Sequence, residues 1–376
     1  MRIVGIETLT VGLALRTPVR SAGVTHADRT ALLLRVATDE GSGWGECTAS
    51  PDARPPDPTV SDVEPAVVDR LAGRLFAACH RGVLVPAAEV TRVLDPVTVA
   101  EQAVAAALEM AVLDVELTSV GRSLAALVGA TSSVVPTGSV VGVTPGHDEG
   151  KLVEEVAAAL AAGARRLRLK IEPGWDHRPL QVVRDRHPTL AVLADANGSF
   201  DPASSDALMG LDDYHLIALE QPFAADNLES HRALSESMST PIGLDESLWS
   251  RARVDQALAA GACRVACLKP GRLGGAFATI AAAASCRSAD VRCFVGGFFE
   301  TGLGRAVNAA LAGRSEFDLP GDLGDPDVYL IDNPFGYLEV HDGYVALSAS
   351  PGLGATVRSE VLRSHTLGAR WLAYGS

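Results

Sequence analysis

Apolar positions follow two different rhythms along the chain. In the first 45 or so residues they favour strands. Thr30 to Thr38 is apolar and β-branched, and Asp39-Glu40-Gly41-Ser42-Gly43 then predicts a tight turn into Trp44-Gly45-Glu46-Cys47. A loop rich in proline and aspartate follows, from Ser50 to Pro58. Beyond it the spacing turns helical, most plainly over Val97 to Val120, where apolar residues recur at three and four. Gly121 and Gly129 mark helix ends. Residues 1–130 therefore read as one α+β unit.

From Val134 short apolar runs alternate with alanine-rich helical segments. The strand-like runs fall at 134–140, 165–171, 190–195, 214–220, 241–245, 264–269 and 291–295. Glu149–Ala162, Pro179–Arg186 and Ala276–Cys286 between them have helical period. Repeated βα units predict a parallel sheet with helices outside it, and so many in succession favour a closed barrel over an open sheet. The fold class is therefore α/β, a barrel over residues 131–330 that follows the first unit. Residues 331–376 return to turns and short strands and are expected to pack back on that unit.

Composition narrows the function. The chain has 376 residues, 47% hydrophobic and 21% charged, with a formal net charge of −14. Such a surface repels phosphate backbones and anionic lipid, so neither nucleic acid nor membrane is expected as a partner. Glu7 interrupts the apolar start too early for a signal peptide, and Val156 to Ala164, the most apolar helical stretch, is far too short to span a bilayer. The six cysteines form no C-x-x-C pair and sit in apolar runs, as expected for buried reduced thiols in a cytoplasmic protein.

Five residues stand out by position. Lys170, Asp195, Glu220, Asp245 and Lys269 each end a predicted strand, at successive spacings of 25, 25, 25 and 24 residues. One βα unit has that length here, so all five belong to the same rim, the C-terminal face where barrel enzymes carry their active sites. Asp195, Glu220 and Asp245, on neighbouring strands, would repel one another unless a cation joined them. All-oxygen ligands without nearby His or Cys favour Mg²⁺, with Mn²⁺ an acceptable substitute. Lys170 and Lys269 would flank that ion from opposite sides. Beside a bound cation, or partly desolvated, a lysine's pKa falls into the working range, so that the neutral amine can take a proton next to a carboxylate. The bland alternative makes each acid a helix cap or surface residue, but five in phase argue against it.

These residues lie in motifs that resemble a known family. Leu169-Lys170-Ile171-Glu172-Pro173-Gly174-Trp175-Asp176, Asp195-Ala196-Asn197, Glu220-Gln221-Pro222, Leu244-Asp245-Glu246-Ser247 and Lys269-Pro270-Gly271-Arg272-Leu273-Gly274-Gly275 resemble the muconate-lactonizing subgroup of the enolase superfamily. Gly296-Gly297-Phe298-Phe299-Glu300-Thr301-Gly302, Arg305 and Ala107-Leu108-Glu109-Met110-Ala111-Val112-Leu113-Asp114 are similar to its branch of o-succinylbenzoate synthases and N-succinylamino acid racemases. The resemblance implies a modified (β/α)₇β TIM barrel with an N-terminal α+β capping domain, and a small carboxylate as substrate. It makes Asp195, Glu220 and Asp245 the Mg²⁺ ligands and Lys170 and Lys269 the acid/base pair. The activity it implies is a dehydratase of menaquinone biosynthesis working through an enediolate, or a racemase. Muconate cycloisomerase and dipeptide epimerase would use the same five residues, and a homo-oligomer is compatible with it. One departure is visible: the family's Lys-x-Lys is Arg168-Leu169-Lys170 here. Arg168 keeps the charge as a rigid fork.

Other residues have two readings each. Asn197 could orient metal or water, or form a turn before Gly198. Glu300, following Gly296-Gly297, could touch substrate or a lysine, or cap a helix starting near Thr301. Ser139, ending the first barrel run, could meet a carboxylate or simply open a loop. Arg20 and His26, in the cap loops 16–26 and 48–58, are candidates for closing over an anion, or solvated loop residues. The glycines of 271–275 suggest a phosphate cradle, but no P-loop lysine follows.

Overall fold

The computed structural model describes residues 1–21, 24–63 and 65–375. Three strands, β1 (Ile3–Ser21), β2 (Val24–Thr38) and β3 (Gly41–Cys47), form an antiparallel meander whose apolar face packs on the helix Val99–Ser119. That helix starts in a capping box, with Thr98 and Glu101 each satisfying the other's free backbone donor. It approaches β3 so closely that a Cβ on Gly45 would lie 1.8 Å from the Ala107 carbonyl oxygen. Only glycine allows that contact. The C-terminal strand Thr366–Ala373 returns to pair antiparallel with the outer edge of β1.

The second sheet is parallel and runs in sequence order: β5 (Ser139–Val141), β6 (Leu167–Lys170), β7 (Val192–Asp195), β8 (Ala218–Glu220), β9 (Ile242–Leu244), β10 (Val265–Leu268) and β11 (Arg292–Val295). These strands are short and almost wholly buried, as expected where helices cover the outside. Residues 319–322 close the barrel. Leu319 N and Asp322 N donate to Cys293 and Val295 of β11, at 3.2 and 3.3 Å, and Gly138 N donates to Gly321 O at 2.8 Å. With Pro320, Gly321 and no β-branched run, this eighth position carries no strand pattern, so sequence reading passes over it.

One predicted run divides. Residues 134–140 contain two strands in different sheets: β4 (Val134–Pro136) pairs with Tyr344–Ala346, and β5 begins the barrel. Ser139 consequently opens the first barrel strand instead of ending it. It aligns with Leu167, three residues before Lys170, and lies well below the rim. The run 214–220 is also shorter than predicted, because Gly210–Tyr214 is a 3₁₀ turn. All six cysteines are buried and free. No helix among the described residues is long and apolar enough to cross a membrane.

Candidate active site

Side chains alternate along a strand, so Arg166, Arg168 and Lys170 share the inner face of β6 and rise toward the rim in that order. The matching register of β6, β7 and β8 sets Lys170 beside Asp195 and Asp195 beside Glu220. Asp245 and Lys269 stand one residue beyond β9 and β10. All five residues are buried, and the spacing read from the sequence does bring them to one rim.

Positive groups thread the three carboxylates. Lys170 Nζ lies 2.6 Å from Asp195 Oδ2 and Lys269 Nζ 2.9 Å from Asp245 Oδ2. Arg168 Nη2 is 2.8 Å from Asp195 and 3.0 Å from Asp245, and it also contacts Glu220 Oε1. Arg272 donates to Asp245 Oδ1 at 2.5 Å and forks onto Asp57 at 2.8 Å through both Nε and Nη2. Asn197 joins the pieces, accepting from Lys170 at 2.7 Å and donating to Glu246 at 2.8 Å. It also has the positive φ of 45° that a turn before Gly198 requires, so the turn reading holds.

These charges have opposing effects on titration. Burial pushes the Glu220 carboxyl up to about 8; Arg168 works against this, while Asp195 and Asp245 add to it. Burial also works against an ionised Asp245, but Lys269, Arg272 and Arg168 outweigh it and hold its pKa well below the usual range. For Lys269 burial favours the neutral amine, yet Asp245 more than compensates and raises the pKa.

Whether a divalent cation fits can be judged from the donors. Glu220, Asp245 and Cys267 offer ligand atoms within 4.8 Å of one another. Burial drives the Cys267 thiol far above its ordinary pKa, which leaves it a poor ligand. Asp195 is not in that group; Arg168 and Lys170 share its Oδ2. What remains of that group is oxygen from two buried carboxylates, Glu220 and Asp245, with the buried carboxylate of Asp195 beside Glu220 in register. A hard divalent ion suits that set.

The other candidates fall around this centre. Glu300 is buried, accepts from Asn308 at 3.0 Å and faces Arg305 at 3.1 Å, while Thr301, not Glu300, caps the helix Gly302–Ala312. Gly297 lies against that pair, where a Cβ would meet Arg305 Nη1 at 2.6 Å. Arg20 bridges to Glu172 at 3.2 Å and His26 to Asp52 at 2.6 Å, so neither is a free loop residue. Gly271 packs on Thr48 and Arg272 is spent on carboxylates, which removes the phosphate-cradle reading. Sequence reading missed the roles of Arg272, Glu246 and Asp57, and Asp322 altogether. The first two stand inside recognised motifs, so a charge at a rim position was the available signal.

Comparison with known proteins places the chain in a family. Residues 151–361 match the model of the enolase C-terminal domain-like family. Residues 3–129 match the mandelate racemase / muconate lactonizing enzyme N-terminal domain. The chain belongs to the enolase superfamily. An N-succinylamino acid racemase from Amycolatopsis sp is 34% identical over 99% of this chain and 100% of its own. An o-succinylbenzoate synthase from Enterococcus faecalis is 33% identical over 95% and 96%. The crystal structure of an enolase superfamily member from Listeria innocua superposes with a TM-score of 0.92 at 27% identity, covering 100% of both chains. This superfamily member is thus an enzyme of the muconate-lactonizing subgroup with the α/β-barrel fold expected of it.

Proposed function

We propose that this enzyme is an o-succinylbenzoate synthase, dehydrating 2-succinyl-6-hydroxy-2,4-cyclohexadiene-1-carboxylate. The observation that carries the reading is the pair of buried lysines, Lys170 and Lys269, held on the two outer members of one cluster of carboxylates. Asp195, Glu220 and Asp245 would hold Mg²⁺, which when bound supplies positive charge to the substrate carboxylate. Lys170 takes the proton from the carbon bearing that carboxylate and returns it to the departing β-hydroxyl, which leaves as water and gives the aromatic ring. Its ion pair with Asp195 is one that a cation on the carboxylates competes for. Asn197 fixes the position of Lys170 Nζ from the other side.

Lys269 favours this one-base reaction over a two-base racemisation. It is pinned to Asp245 and its Nζ lies 4.5 Å from the centre of the Phe298 ring, a setting that holds an ammonium ion. As a cation it stabilises the negative charge that develops on the substrate as the proton leaves. N-succinylamino acid racemase is the second reading, because both lysines are present and face the same centre. Residues 1–130 serve as the cap in either case, 131–330 as the catalytic barrel and 331–376 as the segment tied back to the cap. Lys170→Ala is expected to abolish dehydration, a loss of about 10³-fold or more. Unchanged turnover in that variant would remove Lys170 as the base. Failure to wash solvent deuterium into either enantiomer of an N-succinylamino acid would exclude racemisation.

A further inference from the structure

Arg168 occupies the place where electrostatics calls for a cation. Its Nη2 touches oxygens of Asp195, Glu220 and Asp245 together, and its Nε donates to the second Glu220 oxygen at 3.0 Å. The opposite side of the fork is anchored. Nη1 lies 2.9 Å from Asp322 Oδ2, and Arg166 holds the other oxygen of Asp322 at 2.5 Å. The ring of Phe294 lies 4.8 Å from the Arg166 guanidinium carbon and 5.9 Å from that of Arg168. Arg168 is thus a buried, permanently charged group clamped from behind by the closing segment of the barrel.

The lysines reach less far: Lys170 pairs with Asp195 and Lys269 with Asp245. Glu220, in the middle, takes two nitrogens of Arg168. A lysine at 168 would be a single point of charge, whereas the planar fork spans several acceptors while still held by Asp322. We infer that Arg168 is an internal counter-cation: it keeps the three carboxylates together in the absence of metal and competes with the divalent ion for them, setting its affinity. This rests on the reading of those carboxylates as the metal ligands.

The test is Mn²⁺ binding followed by electron paramagnetic resonance, with melting of the metal-free protein, in wild type, Arg168→Met and Asp322→Asn. Removing the competing charge should let Arg168→Met bind Mn²⁺ about tenfold more tightly while its metal-free form melts lower. Asp322→Asn leaves the three carboxylates untouched but frees the Arg168 charge from its anchor, and should bind Mn²⁺ several-fold more weakly. If Arg168→Met does not fold without metal, Asp322→Asn alone decides. Equal or weaker binding by Arg168→Met, or equal or tighter binding by Asp322→Asn, overturns the inference. Normal Mn²⁺ binding by wild type with no change in the variants defeats this inference alone. No Mn²⁺ binding by wild type defeats the metal reading and the inference with it.

Discussion

Acidic side chains are buried both at the barrel rim and along the seam where the first unit meets the barrel, but their charges are met differently. At the seam the partners are largely backbone amides. Glu46 accepts from Thr301 N at 3.0 Å, Thr301 Oγ1 at 2.7 Å and Gly304 N at 3.1 Å, the start of the helix Gly302–Ala312, and Arg29 stands 3.4 Å away. Glu109 takes Ala276 N and Phe277 N at the start of the helix Ala276–Ser288, with Thr91 Oγ1 at 2.9 Å. Asp114 accepts from Trp44 N and Leu353 N, at 3.0 and 3.2 Å. At the rim the partners are mostly lysine and arginine side chains, with one backbone amide, Asn197 N, on Asp195 at 2.9 Å. Amides at a helix start are fixed by the fold, so acids bound there can only hold pieces together. Side-chain cations can be exchanged for another cation, which is what the proposed metal binding at the rim requires. The same residue type is adhesive in one place and, in the proposed function, a ligand in the other.

The largest effect at the seam is expected for Glu46→Ala. It removes the acceptor of Thr301 N and Gly304 N and leaves Arg29 buried without its carboxylate, for a loss of about 3–5 kcal/mol in urea unfolding. A loss below about 1 kcal/mol would mean that the seam acids are not adhesive. A smaller, pH-dependent effect is expected at Glu109. Burial raises its carboxyl from 4.5 to about 7 in the folded protein, against the opposing pull of Thr91 and the two amides. Between those values the folded state binds more protons than the unfolded chain, so stability falls as pH rises through the window and levels off above it. Glu109→Gln removes this contribution. Its stability relative to wild type should therefore improve from pH 4.5 to 7, by roughly 2–3 kcal/mol. A difference that does not change with pH would mean that burial does not raise the Glu109 carboxyl in the folded protein.

Legibility from sequence followed the same division. The rim was readable because register and repeat length act together: a near-constant spacing in a parallel barrel returns each strand end to one level, so Lys170, Asp195, Glu220, Asp245 and Lys269 could be grouped without coordinates. The long helix over Val97 to Val120 was readable from its period. Contacts that depend on where the chain turns back were not. Asp322 sits on a segment with no strand signature, so its hold on Arg168 had no local trace. Ser139 was misplaced because one apolar run spans a change of sheet. Glu46 was legible as part of a strand, but its partner Thr301 lies 255 residues away, and nothing local announces that meeting.

If the rim is a Mg²⁺-dependent synthase site, the purified enzyme turns over the cyclohexadiene carboxylate only when the metal is present. Ultraviolet absorbance of the diene would be followed with Mg²⁺, after EDTA, and after Mg²⁺ is restored. The expected result is rapid loss of the diene signal that EDTA stops and excess Mg²⁺ restores. No turnover with metal present, or turnover indifferent to its removal, would rule out a Mg²⁺-dependent synthase at this rim.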